Sequence, residues 1–124
     1  MDSTEPVNYF GLFRTAEGGE RYEAGGVVFA AGDEADVLYV VREGEVALTS
    51  GDTTLEVLGE GGMFGEMALV DRTPRSATAV ARTACEVVPV SRERFRAMVQ
   101  ETPFFAESVM RVMADRLRRV TGTA

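Results

Sequence analysis

The segment "GGMFGEMALVDRTPRSATAVA" (Gly61–Ala81) decides what kind of fold this chain can adopt. Its first part, "GGMFGEMAL", predicts a short strand, a glycine turn and a single helical turn. Its last part, "SATAVA", is a row of small residues that suits a strand. An acid, Glu66, and a base, Arg75, lie nine positions apart among neighbours that look suited to burial. Because an unpaired buried charge is costly, both residues need partners.

The spacing of Glu66 and Arg75 leaves two explanations open. In the first, they pair with each other or both lie at the surface. In the second, they meet a ligand: the amides of the helical turn and the planar guanidinium of Arg75 suit phosphate oxygens, and Gly65 lets the backbone come close. A carboxylate beside a phosphate is useful only if the ligand also carries hydroxyl donors, as a ribose does. The second explanation therefore predicts a pocket for a sugar phosphate.

Around this segment, from Glu20 to Ser91, short apolar and β-branched runs alternate with glycine and aspartate turns. Such even spacing predicts an antiparallel β-sandwich or barrel over residues 20–91. Pro89 should lie at a strand end or edge, because it has no N–H to donate. The predicted strands are Val27–Ala30, Val37–Val41, Val46–Thr49, Thr54–Leu58, Ser76–Ala81 and Cys85–Val90.

Helical periodicity flanks this β-region on both sides. Pro6–Ala16 predicts a short helix in a lead-in of residues 6–19. After Val90, Ser91 can cap a helix over Arg92–Gln100. Thr102 and Pro103 have the pattern of an N-cap and a first helical position, so a longer helix should begin there and extend to about residue 120.

The longer C-terminal helix carries an apolar seam with the 4-3 spacing of coiled-coil positions. Phe105, Val109 and Val112 widen this stripe near the start of the helix. The helix either folds back on its own β-domain or meets a second copy of the chain in a homodimer. The seam residues are Ala106, Met110, Met113, Leu117 and Val120.

Composition bounds the class of protein. The 124 residues, of which 45% are apolar, suit one domain over 1–124, mainly β with flanking helices. No apolar run approaches the roughly 18 residues that would span a membrane, and no signal peptide is recognisable at the N-terminus. The single cysteine, Cys85, fits a reducing, cytoplasmic compartment.

Charge and missing residue types exclude several functions. A net charge of −7 argues against direct binding of nucleic acid. The chain has no histidine and no lysine, since all 13 basic residues are arginine. This excludes serine–histidine and cysteine–histidine catalysis and a Walker A loop, and makes zinc, haem and iron–sulfur sites implausible. The sequence therefore predicts no enzyme, no catalytic residue, no metal site and no cofactor.

The stretch "FGEMALVDRTPRSATAVA" resembles the phosphate-binding cassette of the cyclic nucleotide-binding domain family, here residues 61–81. The upstream segment "AGGVVFAAGDEADVLYVVREGEV" (Ala24–Val46) resembles the strands that precede the cassette in that family. The resemblance extends from about Tyr22 to Val90. It implies a jelly-roll β-sandwich and a cyclic AMP or cyclic GMP ligand held without catalysis.

The resemblance also implies a role for each matching position. Glu66 would accept the ribose 2′-hydroxyl proton, and Arg75 would bind the phosphate. Ser76 would bond the phosphate through its amide or hydroxyl, and Thr78 would line the pocket. Both charges of the cassette are kept, which favours nucleotide binding. The implied ligand-binding residues are Gly65, Glu66, Met67, Ala68, Arg75, Ser76 and Thr78.

The identity of the base is less well defined by the sequence. Ser76 permits cyclic GMP, but cyclic AMP is favoured. We expect the base to lie near Val57, Met63 and the C-terminal helix around Arg111–Arg118. The helices of residues 92–120 would act as a lid, and the ligand would draw the apolar cassette residues Met67 and Leu69 into new packing.

The resemblance leaves the effector unknown. The domain is normally joined to an effector such as a transcription-regulating domain, a kinase or a channel. The start at Met1 and the short tail favour a stand-alone sensor over a fragment of a longer regulator. The arginines near the C-terminus, at positions 111, 116, 118 and 119, form either a solvated helix face or a partner-docking patch. An interaction module that no longer binds nucleotide is the alternative function.

Overall fold

The computed structural model describes residues 18–121, with side chains up to residue 119. Within this range the chain divides after Ser91 into a β-unit and a helical unit, and each is compact. The elements are β1 (Glu20–Tyr22), β2 (Val27–Phe29), β3 (Val37–Glu43), β4 (Val46–Ser50), β5 (Thr53–Leu58), β6 (Met63–Phe64), α1 (Glu66–Asp71), β7 (Thr78–Ala81), β8 (Cys85–Ser91), α2 (Arg92–Glu101) and α3 (Pro103–Thr121).

The β-unit consists of two four-stranded antiparallel sheets. One sheet has the strand order β1-β8-β3-β6 and the other β2-β7-β4-β5. Neighbouring strands within a sheet are mostly distant in sequence, which is the connectivity of a jelly roll. The prediction of a mainly β protein with an antiparallel sandwich and C-terminal helices is confirmed.

The core of the β-unit is an apolar cluster to which both sheets contribute. At its centre lie three aromatic rings from β2, β3 and β6: Phe29, Tyr39 and Phe64. The rings of Tyr39 and Phe64 stack with centroids 5.2 Å apart and planes at 18°. The rings of Phe29 and Tyr39 also lie near the guanidinium of Arg75, so this cluster borders the candidate site.

Strand bounds differ from the sequence prediction in instructive places. The segment Ser76–Ala81 was predicted as one strand, but β7 begins only at Thr78. Strand β1 was not predicted, because "ERY" is short, charged and without alternation. Pro89 lies within β8, which is an inner strand. In the described residues, strand β1 pairs only with residues 85–87 of β8, so Pro89 has a neighbouring strand, β3, on one side only. The predicted strand end is therefore wrong, but on its β1 side Pro89 faces no described strand.

The N-terminal prediction is tested only in part. The helix predicted over Pro6–Ala16 lies outside the described residues. Of the lead-in 6–19, the described residues Gly18 and Gly19 are not helical, and Gly18 has a φ of +87°.

The helical unit contains α2 and α3, which pack against each other. The rings of Phe95 and Phe105 meet edge to face with centroids 5.9 Å apart. Helix α3 begins at Pro103, as predicted, and the carbonyl of Thr102 accepts the N–H of Phe105 at 2.8 Å. Within the described residues, no helix is long and apolar enough to cross a membrane.

The seam of α3 is largely exposed in the single chain. Met110 and Leu117 are 62% and 57% exposed, whereas Ala106 and Met113 are half-buried. The buried positions of the helix are Phe105 and Val109, together with the hydroxyl-bearing Ser108. The side chain of Val120 lies outside the described part of the chain.

Candidate functional site

The candidate site forms where α1 follows β6, and its shape depends on one glycine. Gly65 has φ +81° and ψ 4°, a left-handed conformation that glycine adopts without steric cost. This turn lets the six-residue helix α1 start directly after β6, with Glu66 as its first residue. The helix ends at Asp71 and is capped by Arg72, whose φ of 57° is also left-handed and whose N–H donates to the carbonyl of Ala68.

Glu66 is fully buried, with 0% of its surface exposed. Its position in the first turn of α1 is favourable for a carboxylate, because the amides of that turn carry partial positive charge. Met67 points outward and is 44% exposed, while Ala68 is buried. Leu69 is already buried at 2% exposure. The expectation that ligand draws Met67 and Leu69 into new packing stays a prediction, and of the two only Met67 still has a large exposed surface to bury.

Arg75 is the central cation of the site. The residue is 5% exposed and lies three positions before β7. Its Nη1 donates to the carbonyl of Gly65 at 2.8 Å, and its Nη2 donates to the carbonyl of Val37 at 2.6 Å. Among the described residues, Nε of Arg75 is buried without a hydrogen-bond partner. The Nε–H of this buried cation is thus available to a further acceptor.

The backbone of Arg75 is fixed by the turn after β2. The N–H of Arg75 donates to the carbonyl of Asp33, and the N–H of Gly32 donates to the carbonyl of Arg75, both at 2.8 Å. Asp33 in turn accepts the N–H of Ala30 through Oδ2 at 3.0 Å. The motif "GD" predicted in this turn therefore positions the arginine of the cassette.

Electrostatics at Arg75 reflect two opposing effects. Burial lowers the pKa of the guanidinium from its ordinary value, whereas Coulombic interactions with Tyr39, Asp36, Asp33 and Glu66 raise it. An arginine remains charged in either case, because its ordinary pKa is so high. Burial likewise raises the pKa of the Tyr39 hydroxyl. The site therefore holds a permanent positive charge in a setting with little water.

The remaining predicted ligand residues differ in exposure and in hydrogen bonding. Ser76 is exposed and follows Arg75 directly. Thr78 is half-buried, and its hydroxyl accepts the N–H of Ala31 at 3.0 Å, so it already serves the loop after β2. Of the expected base contacts, Val57 is 38% exposed at the edge strand β5, whereas Met63 is buried in β6. Arg111–Arg118 belongs to the helical unit.

Sequence reasoning missed two groups of this site, the ring of Phe29 and the carbonyl of Val37. A backbone carbonyl has no sequence signature, so nothing could have identified the second. Phe29 was predicted only as part of a strand, and its buried position at the end of β2 gave no sign of which side chain it meets. Within the described residues, no cluster of acidic or cysteine side chains is arranged to hold a metal ion.

Comparison with known proteins identifies the family. A family model described as the cyclic nucleotide-binding domain matches residues 19–102. The chain belongs to the cyclic nucleotide-binding domain family. The resemblance inferred from the cassette is confirmed.

Individual members of the family share about a third of the sequence. The "Cyclic AMP receptor protein" of Thermus thermophilus is 37% identical over 102 residues, covering 78% of this chain and 47% of that protein. The "CRP-like cAMP-activated global transcriptional regulator" of Mycobacterium tuberculosis is 32% identical over 103 residues, covering 79% and 46%. The chain therefore spans about half the length of the curated relatives it matches.

A solved structure supports the same family. The catabolite activator protein of Thermus thermophilus superimposes with a TM-score of 0.77 at 34% identity, covering 90% of this chain and 55% of that one. The two-sheet architecture of the β-unit is thus shared with a family member of known structure.

Proposed function

We propose that this chain binds a cyclic nucleoside monophosphate, cyclic AMP in preference to cyclic GMP, and acts as a non-catalytic sensor. One observation carries the proposal: the buried Arg75 has, among the described residues, no partner for its Nε, and it donates to the carbonyl of Gly65, the residue before the buried Glu66. An anionic ligand would complete the hydrogen bonding of this cation.

The phosphate side of the proposal rests on Arg75. A guanidinium can give two parallel N–H bonds to two phosphate oxygens, which a point charge cannot do. The carbonyls of Gly65 and Val37 already orient its plane. The amides of Glu66, Met67 and Ala68 lie in the adjacent turn, and the exposed Ser76 can add its N–H or hydroxyl. A phosphate would then be bound mainly by groups fixed in place before it arrives.

The ribose side rests on Glu66. A buried carboxylate next to a phosphate repels it, so the carboxylate contributes to binding only by accepting a hydrogen bond from a sugar hydroxyl. The 2′-hydroxyl of a cyclic nucleotide is free for this bond, since the 3′- and 5′-oxygens are esterified. Glu66 and Arg75 would thus contact two parts of one ligand rather than neutralise each other.

Preference for cyclic AMP is supported by the two bacterial relatives, whose names include that nucleotide. Ser76 remains compatible with cyclic GMP. For this reason the base is proposed to pack on apolar groups such as Val57, with no specific polar contact assigned to it. Thr78, whose hydroxyl is already bonded to Ala31, would contribute to the shape of the pocket.

Calorimetry tests the two charges separately. With cyclic AMP, Arg75→Ala should weaken binding by about 10- to 150-fold, because a charge-assisted bond contributes about 1.5–3 kcal/mol. Arg82→Ala is the matched control, since Arg82 lies at the surface with Glu45 and should leave binding unchanged. If the parent binds neither cyclic AMP nor cyclic GMP below about millimolar concentration, the sensor function is wrong.

The ribose assignment is tested with 2′-deoxy cyclic AMP. The parent should bind the deoxy compound about tenfold more weakly or worse, because Glu66 would lose its hydrogen-bond donor. Glu66→Gln should lower the affinity for cyclic AMP by a similar factor. Glu66→Gln should then bind 2′-deoxy cyclic AMP almost as well as it binds cyclic AMP. If this variant instead loses as much affinity for the deoxy compound as the parent does, the 2′-hydroxyl does not contact Glu66.

The sensor is proposed to act within a transcriptional regulator in the cytoplasm. This is supported by the name of the mycobacterial relative and by its length, about twice the matched segment. The acidic chain itself is not proposed to contact nucleic acid. The alternative function, an interaction module without nucleotide binding, would be favoured if no cyclic nucleotide raised the melting temperature of the chain.

A homodimer through α3 is proposed as the route to the effector. Met110 and Leu117 are exposed along the seam, which costs free energy unless another surface covers them. Sedimentation should give a dimer for the parent and a monomer for Met110→Glu, with Arg111→Glu at the neighbouring exposed position as control. A parent that is monomeric with and without cyclic AMP contradicts the dimer.

A further inference from the structure

The ring of Phe29 lies directly beneath the guanidinium of Arg75. The Cζ atom of Arg75 is 4.1 Å from the centroid of the Phe29 ring, and 5.8 Å from that of Tyr39. At 4.1 Å a cation faces the negative side of the ring quadrupole, which is attractive. The contact is well shielded from water, since Phe29 and Arg75 are both buried.

The Phe29 ring is held rigidly by other aromatic rings. Its centroid is 5.9 Å from that of Tyr39 and 5.9 Å from that of Phe64. Tyr39 and Phe64 stack on each other, so the three rings form one packed cluster in the core. A ring fixed in this way defines a plane on which a flat guanidinium can rest.

A ring stabilises a cation in a different way from a carboxylate. A carboxylate would accept N–H bonds and so occupy the donors of the guanidinium. The ring acts on the face of the group and leaves the N–H donors, which lie in its plane, available. In Arg75 two of these donors go to the carbonyls of Gly65 and Val37, and Nε keeps an unused one among the described residues.

The glycine at position 65 belongs to the same arrangement. A Cβ atom there would lie 2.7 Å from Nη1 of Arg75 and 3.4 Å from Cε2 of Phe29. The space between the turn, the guanidinium and the ring is therefore too small for any side chain. Ring, cation and turn are packed as one unit.

We propose that Phe29 is a positioning residue for nucleotide binding: its ring holds the Arg75 guanidinium in the plane that receives the phosphate while leaving the N–H donors to the ligand. The proposal rests on the proposed function and deepens it, because it names a group that acts on the ligand through Arg75. A guanidinium held in one plane should also distinguish the two exocyclic oxygens of the phosphate.

The test compares Phe29→Leu, which removes the ring face, with Phe29→Tyr, which keeps it. Two quantities are measured: the affinity for cyclic AMP, and the ratio of affinities for the two phosphorothioate diastereomers of cyclic AMP, in which sulfur replaces one exocyclic oxygen or the other. Phe29→Leu should lower the affinity for cyclic AMP about three- to thirtyfold and bring the ratio of affinities for the two diastereomers close to one. Phe29→Tyr should keep both near the parent.

Val46→Ala is the matched control, because Val46 is buried in the same cluster but lies on β4. It should lower stability without changing the diastereomer ratio. If Phe29→Leu keeps the parent ratio, or if Phe29→Tyr loses it, Phe29 acts only by packing and the proposal is wrong. Should Phe29→Leu not fold, Phe29→Met serves in its place.

Failure of the proposed function can be told apart from failure of this inference. If the parent binds no cyclic nucleotide, the sensor function fails. The contact is then decided by denaturant unfolding of Phe29→Leu, Arg75→Gln and the double variant. Additive losses of stability show that the ring and the cation do not interact, which overturns the inference. A clear non-additive difference shows that the ring holds the cation, so the contact stands and only the sensor function has failed.

Discussion

Two arginines of the β-unit, Arg42 and Arg75, are both largely withdrawn from solvent yet have opposite surroundings. Arg42 meets a carboxylate with two parallel bonds: Nε donates to Oε1 of Glu86 at 3.2 Å and Nη2 donates to Oε2 at 3.0 Å. Arg75 rests on an aromatic ring and donates to two backbone carbonyls. The first cation has a permanent anion, whereas the second has neutral partners.

This difference separates a structural charge from a binding charge. The pair of Arg42 and Glu86 is extended by Arg21, whose Nη1 lies 3.5 Å from Oε1 of Glu86 and whose Nη2 lies 3.1 Å from Oε1 of Glu43. This network joins β1, β3 and β8, and each of its arginines already faces a carboxylate of the protein. Within the part of the chain that the structure describes, Arg75 keeps a buried Nε donor without a hydrogen-bond partner, and this is the basis for proposing an external anion there.

The largest effect that would sharpen this comparison is expected for Gly65→Ala. The added Cβ would lie 2.7 Å from Nη1 of Arg75, so the guanidinium must move. Binding of cyclic AMP should fall by about 10- to 150-fold through the lost charge-assisted bond. Unfolding free energy should fall by about 1–2 kcal/mol, because φ at this position is left-handed.

Gly25→Ala is the control for that change. Gly25 has a φ of +90°, and a Cβ there would have nothing within 4 Å. It should show a similar loss of unfolding free energy in urea but bind cyclic AMP like the parent. Equal losses of binding in both variants would mean that strain in the fold, and not the position of Arg75, controls affinity.

A smaller effect, on stability alone, is expected for Arg42→Ala. The substitution leaves the carboxylate of Glu86 with the weaker partner Arg21, so unfolding free energy should fall by about 1–2 kcal/mol. Calorimetry should give the parent affinity for cyclic AMP. The control Arg82→Ala removes an exposed pair with Glu45 and should cost about 0–1 kcal/mol. Weakened nucleotide binding in Arg42→Ala would break the distinction between the two arginines.

The smallest effect concerns pH. The hydrogen bond from Arg42 lowers the pKa of the Glu86 carboxyl below its ordinary value, and burial of Glu86 opposes this only in part. The pair therefore contributes fully above the unfolded pKa and loses its contribution as pH falls through the lower folded pKa. Unfolding in urea should show parent and Glu86→Gln differing by about 1 kcal/mol or less at pH 6, and by still less near pH 3.

A difference between parent and Glu86→Gln that grows as pH falls would contradict the direction of this shift. The guanidinium of Arg75 keeps its charge over the same range, so its contribution to nucleotide binding should not change with pH for this reason. The two arginines would then differ in pH response as well as in partners.

Local signals in the sequence were sufficient for most elements. Glycine and aspartate turns separated the strands, and Thr102 with Pro103 marked the start of α3, because these residues restrict the backbone on their own. Strand β1 could not be predicted, since "ERY" becomes a strand only by pairing with β8. Nor could alternation along β7 reveal that the Thr78 hydroxyl would be taken by the amide of Ala31.

The sequence by itself determined that this protein is a β-sandwich of the cyclic nucleotide-binding domain family, with an acid, Glu66, and a base, Arg75, at the matching positions of its cassette. Both follow from the order and spacing of residues along the chain. Only the tertiary structure decided what surrounds Arg75: the Phe29 ring, the carbonyls of Gly65 and Val37, and no described partner for Nε. These groups come from three separate segments, and their meeting depends on sheet pairing that no local pattern encodes.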